Sequence, residues 1–192
     1  MRLFKTISAA AFLGLALVPA ADANSIFDPI TRQPIQVEQD GRVQATPIAR
    51  EEVSYDGKLA PGTIWVNTVE KRLYFILPGG RAVKYGVGVG RPGFGWAGTQ
   101  VISRKAEWPA WTPPPQMIKR RPDLPRHMPG GETNPLGARA MYLGATLYRI
   151  HGSNEPETIG QAVSSGCIRM LNDDVIDLYS RVKVGTRVVV TR

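Results

Sequence analysis

The chain has 192 residues, 24 Lys and Arg against 16 Asp and Glu, a formal net charge of +8, and a single cysteine. That length fits one domain with a real core plus a tail. One cysteine excludes an intramolecular disulfide, and one cysteine with two distant histidines does not make a zinc ligand set. The basic charge suits a polyanionic neighbour, a carboxylate-bearing polymer or membrane headgroups, or serves solubility alone. No recognition motif points to nucleic acid.

In chain order, Met1-Arg2-Leu3-Phe4-Lys5 leads into an apolar run from Ile7 to Val18, closed by Pro19 and Ala21-Asp22-Ala23. A positive start, a short apolar core and an A-x-A site predict a secretory signal over 1–23, with cleavage after Ala23 and a periplasmic destination. The run falls short of the roughly 20 apolar residues a membrane span needs. No later segment is apolar enough to span, so no transmembrane segment is expected once the leader is gone. Residues 24–57 carry scattered prolines and mixed charges without a sustained period. They read as a linker or N-terminal arm.

Residues 58–192 read as one domain. Thr63–Asn67, Arg72–Leu77 and Arg81–Val87 are rich in β-branched and aromatic residues, and Pro78-Gly79-Gly80 turns between the last two, so a β-meander is predicted. Gly88, Gly90, Gly93 and Gly95 mark a loop around Phe94 and Trp96. Thr99–Lys105 is a further strand. From 107 to about 137 runs a long excursion rich in proline and glycine, read as a lid, since loops of this length are commonly functional. Strands return at Ala140–Leu143 and Leu147–Ile150.

One helix is clear. Asn172 is placed to cap it, and Asp173 and Asp174 sit in its first turn as dipole-facing charges, not as an acid pair. Val175, Ile176, Leu178, Tyr179 and Val182 form its apolar stripe. Arg187–Val190 closes the chain as a strand. The expected fold class is mainly β, with a short C-terminal helix and a long Pro/Gly-rich lid loop.

His151-Gly152-Ser153 and Ser164-Ser165-Gly166-Cys167-Ile168-Arg169-Met170 carry the candidate chemistry. Imidazole can take a thiol proton, and the thiolate can attack an acyl carbon. Gly166 lets backbone N–H groups point at one place, as an oxyanion hole requires. A nearby imidazolium, oriented amides and Arg169 would each lower the thiol pKa. Trp108 and Trp111 are candidates for a cleft under the long loop or for plain packing. His127, inside the excursion, reads as a surface or lid residue.

These two motifs resemble the signature of the YkuD-type L,D-transpeptidase catalytic domain. The resemblance runs from about Gly62 to Arg192 and takes in Thr63-Ile64-Trp65-Val66, the Gly88–Gly95 loop, Asn134-Pro135-Leu136-Gly137 and Gly185-Thr186-Arg187-Val188. It implies a β-sandwich-like fold and an exported enzyme acting on peptidoglycan stem peptides, without a cofactor or metal. Such enzymes attack the L-centre carbonyl of a tetrapeptide stem, release D-alanine, and pass the acyl group from cysteine to an amine, giving a 3→3 cross-link. They are also carbapenem targets.

Carried over, Cys167 is the nucleophile, His151 the general base, the Gly152 carbonyl its orienting partner, and the amides at Gly166 and Cys167 the oxyanion donors. Arg169, Ser165, Tyr142 and Trp111 are the expected substrate-binding side chains. Many family members have a second histidine two residues before the cysteine, where this chain has Ser165. The resemblance leaves three alternatives open: an outer-membrane protein as acyl acceptor, water as acceptor (an L,D-carboxypeptidase), or an inactive cell-wall binding domain.

Overall fold

The computed structural model describes residues 48–192; the expected leader and the first part of the expected arm lie outside the described residues. Strand β2 (Ile64–Asn67) buries Ile64 and Val66 and leaves Trp65 and Asn67 half-buried. Strands β3 (Arg72–Leu77) and β4 (Arg81–Gly86) pair antiparallel beside it, burying Leu73 and Phe75, then Val83 and Tyr85. Strand β11 (Arg187–Thr191) lies parallel to β2 and contributes Val188 and Val190. The alternation read in the sequence is thus one face turned to a common core, as period-2 side-chain direction requires.

Strand β6 (Gly98–Glu107) joins two halves of the sheet. Its first residues pair with β11, and its later ones pair with β7 (Arg139–Leu143) across a register shift between Ile102 and Arg104. Beyond β7 come β8 (Arg149–His151) and β10 (Ile168–Arg169). With β1 (Glu51–Ser54) at the far edge, the order is β1-β4-β3-β2-β11-β6-β7-β8-β10. Gly88, just after β4, exchanges backbone hydrogen bonds of 2.9 Å with Arg169 on the opposite edge strand. The sheet therefore curls back on itself around its core, the mainly β architecture expected. A two-stranded ribbon of β5 (Val89–Gly90) and β9 (Ala162–Ser164) stands beside this seam.

Strand β1 falls inside the stretch read as an irregular arm. Its four residues are mostly exposed, so no apolar alternation announced them. It pairs antiparallel with β4 and is flanked by ion pairs, Glu51 with Lys84 at 2.9 Å and Glu52 with Arg81 at 2.6 Å. A regular element therefore begins before the expected domain boundary at residue 58.

Helix α2 (Asn172–Arg181) packs on the sheet through Val175 and Leu178, with Val182 just beyond its end. Two details differ from the sequence reading. Ile176 points to solvent at 40% exposure, so the apolar stripe is narrower than predicted. Leu171, not Asn172, is the flanking cap, and the Asn172 side chain instead accepts the Ala138 N–H at 2.9 Å. The other end of α2 is closed by Lys105, whose Nζ donates to the carbonyls of Tyr179 (2.7 Å) and Val182 (2.6 Å). A cation there satisfies orphan carbonyls and opposes the helix dipole. Among the described residues, no helix is long and apolar enough to cross a membrane.

Candidate active site

The site grows from one short parallel ladder. In β8 and β10, Ile150 pairs with Ile168 and His151 with Arg169. Both isoleucines are buried in the core. Side chains alternate along a strand, so residues flanking Ile150 and Ile168 face the other way. On β8 these are Arg149 and His151; on the other side they are Cys167, just before β10, and Arg169. All four line one cleft of about 830 Å³. Cys167 and His151 thus open onto the same cleft.

His151 is buried at 4% exposure, and its Nδ1 lies 2.5 Å from the Gly152 carbonyl oxygen. A carbonyl only accepts, so Nδ1 carries the proton and the Nε2 lone pair is left to act as base. Burial drives the imidazole pKa down to about 3; the Gly152 carbonyl opposes this, and Arg169 and Arg149 add to the depression. The resting imidazole is therefore neutral. Burial likewise pushes the Cys167 thiol up, against the opposing pull of Arg149 and then Arg169. Arg169 does pull the thiol down, as expected, but desolvation outweighs the cations, and the resting histidine is no imidazolium. The thiol points at the Leu147 carbonyl, 3.7 Å away. The pair is an uncharged thiol and an uncharged base.

The cysteine loop is held from inside. Ser164 Oγ accepts the Gly166 N–H (3.1 Å) and donates to the Cys167 carbonyl (2.6 Å). The Gly166 N–H, expected to face an oxyanion, is thus engaged within the loop. The Gly166 carbonyl accepts the Trp96 indole N–H at 2.8 Å, and Trp96 stacks on Tyr148 with centroids 4.6 Å apart. Gly166 has φ +108, and a Cβ there would press on the Tyr148 ring. Glycine is required on both counts. Gly166 lines a second, smaller cavity behind the loop rather than the cleft itself.

Of the expected substrate-binding residues, three line the cleft and one does not. Arg169 lines it while paired with Glu155 at 2.6 Å. Ser165 lines it and accepts from Arg91 Nη1 at 3.2 Å. Trp111 lines it from the Pro-rich excursion, where its backbone exchanges two 2.8 Å hydrogen bonds with Met128. Tyr142 instead sits behind the site, its ring 3.6 Å from the Arg104 guanidinium and 5.3 Å from that of Arg149. Trp108 is turned to solvent, and exposed His127 approaches Thr112 Oγ1 at 3.2 Å. Neither lines the cleft.

The excursion forms one wall of the cleft through Trp111, Met117, Arg120, Leu124 and Met128. It contains a short helix, α1 (Pro115–Arg120), which the run of prolines concealed from a periodicity reading. Fully buried Asn134 pins its return, donating to the Pro129 carbonyl (2.8 Å) and accepting the Leu136 N–H (2.9 Å). Two contributors escaped the sequence reading. Arg149 neighbours the nucleophile only through strand register. Asn172 looked like a helix cap and in fact supports the turn carrying Gly152.

Residues 61–190 match the family model for the YkuD L,D-transpeptidase catalytic domain. The chain is 43% identical over 134 residues to the probable L,D-transpeptidase ErfK/SrfK of Escherichia coli, a match covering 65% of this chain and 42% of that protein. It thus spans less than half the length of that curated relative. A crystal structure from Brucella melitensis, described as a probable carnitine operon oxidoreductase, is 43% identical and covers 75% of this chain and 94% of that one, with a TM-score of 0.51. An L,D-transpeptidase from Mycobacterium smegmatis shares the fold at 19% identity and a TM-score of 0.55, over 68% of this chain and 58% of that one. With the motif residues gathered in one cleft, these matches lead to one conclusion: the chain belongs to the YkuD family of L,D-transpeptidase catalytic domains.

Proposed function

We propose that this chain is an exported, cysteine-dependent peptidoglycan L,D-transpeptidase acting in the periplasm. The observation that carries the reading is the placement of Cys167 and His151 on one cleft, with His151 Nδ1 tied to the Gly152 carbonyl. Neutral His151 Nε2 takes the Cys167 proton as sulfur attacks the L-centre carbonyl of a tetrapeptide stem. The C–N bond to D-alanine breaks, and the imidazolium returns the proton to the departing amine. The thioester is then attacked by an amine of a neighbouring stem, which gives its proton to His151. The C–S bond breaks, a 3→3 cross-link forms, and the thiol is restored. The amides near Cys167 supply the oxyanion contacts, with the Gly166 N–H available only if it leaves Ser164 Oγ.

The residues around the cleft suit an acidic peptide: Arg91 and Arg120 line it and, among the described residues, form no carboxylate ion pair. Incubating the protein with purified tetrapeptide stems and resolving the products by mass tests the reading. A 3→3 dimer with free D-alanine is expected. Tripeptide alone would assign water as the acceptor, and unchanged tetrapeptide would overturn the transpeptidase reading. Adding an outer-membrane protein bearing a free amine tests the anchoring alternative by the same readout.

A further inference from the structure

We infer that Arg149 is a catalytic residue of this site, its guanidinium lying against the Cys167 sulfur and holding it as a thiolate during attack. This rests on the cysteine-dependent reading above and names a residue that neither motif contains.

The geometry comes first. Continued one step before the Ile150–Ile168 and His151–Arg169 pairs, the parallel register sets Arg149 opposite Cys167, the residue just before β10. Neighbouring strands lie about 4.8 Å apart, and side chains at matched positions share a face. Both side chains line the cleft. The two flanking residues on β8 thus divide the work: His151 removes the proton, and Arg149 meets the charge that remains.

The second observation is an absent counter-charge. Nε of Arg149 is buried without a hydrogen-bond partner, and among the described residues no carboxylate pairs with this guanidinium. Three of the other cations lining the cleft have polar partners. Arg169 holds Glu155, Arg121 holds Asp123, and Arg91 donates to Ser165. The residue is half-buried, yet this one donor is buried and unsatisfied, which is costly, so its retention points to a partner bound during turnover. The guanidinium also lies 5.3 Å from the Tyr142 ring, a cation–π distance, on a ring it shares with Arg104.

The electrostatics run the same way. Of the influences that pull the thiol down, the Arg149 charge is the largest, followed by its hydrogen bonds and then Arg169. The same charge disfavours imidazolium at His151. Arg149 therefore favours the thiolate and discourages His151 from keeping the proton, which speeds its delivery to the departing amine.

Iodoacetamide alkylation of Cys167 against pH tests this in the mature protein, because alkylation reads the thiolate and needs no stem peptide. Other charges facing the thiol, Arg169 with Glu155, Arg91, Arg120 and His151, stay in place across the comparison. Arg149→Met should move the alkylation midpoint up by about one pH unit or more, so the rate at pH 7.5 falls about tenfold. Arg149→Lys should recover part of that loss. Should Arg149→Met fail to fold, Arg149→Gln gives the same readout with a polar head. A folded neutral variant with the wild-type midpoint would overturn the proposal and leave Arg149 a brace. An Arg149-dependent midpoint in a protein inert toward stems would instead sink the transpeptidase reading alone.

Discussion

Asn172 Oδ1 occupies the space a side chain on Gly152 would need, while it accepts the Ala138 N–H at 2.9 Å. The first residue of α2 thereby packs against the turn whose Gly152 carbonyl holds the His151 imidazole. Gly152→Ala would drive a methyl group into that amide. It should cost about 1–3 kcal/mol of stability and lower acylation at least tenfold by rotating the Gly152 carbonyl off His151. Asn172→Ala should cost about 1–3 kcal/mol through the unpaired Ala138 N–H. Urea unfolding with acylation kinetics checks both, and a fully active Gly152→Ala protein would contradict the relationship.

The buried imidazole gives stability a definite pH dependence. His151 titrates at about 3 in the folded chain and near 6.5 when unfolded. Between those values the unfolded chain binds the extra proton, so stability falls as pH drops from about 6.5 toward 3. Urea midpoints of wild type at pH 7.5 and 4.5 should differ more than those of His151→Gln. An equal difference in both would show that His151 is not the group responsible.

Trp96 steadies the nucleophile loop by donating to the Gly166 carbonyl. Trp96→Phe keeps an aromatic face against Tyr148 and loses that one bond. Thermal unfolding should register a loss of about 1 kcal/mol, and acylation should slow several-fold. Gly166→Ala should be far worse, since φ +108 and the Tyr148 ring both oppose a Cβ.

At the other edge, Arg50 reaches Asp177 at 3.4 Å and Asp174 at 3.6 Å, joining the segment before β1 to α2. Burial raises the Asp174 carboxyl, and Arg50 is the first influence opposing that rise. A chain begun at Asp56 loses β1 and this cation. It should stay folded and active while melting lower by about 3–8 °C, as expected for roughly 1–2 kcal/mol in a domain of this size. Calorimetry of the shortened and full mature chains makes the comparison.

The elements legible in the sequence were those whose local pattern matched their burial. The apolar alternation of β2 and β3 and the spacing of Val175, Leu178 and Val182 each name a buried face directly. Strand β1 escaped because its partner, not its own composition, makes it a strand. Strands β9 and β10 are too short to show a period. That Cys167 and His151 share a cleft was legible because they and their flanking glycines lie in two compact motifs. Arg149 was not, since a residue two before a histidine means nothing until β8 is known to run parallel to β10. The engagement of the Gly166 N–H was not legible for a similar reason: only the folded loop brings Ser164 Oγ to it.

The central claim is that Cys167 is an acylatable nucleophile served by His151. Intact mass of the mature protein after incubation with a carbapenem, beside Cys167→Ala and His151→Ala, tests it most directly. One adduct on wild type, none on Cys167→Ala and a rate at least about a hundredfold lower on His151→Ala is the predicted result. No adduct on wild type, or an equal adduct on Cys167→Ala, would contradict the account.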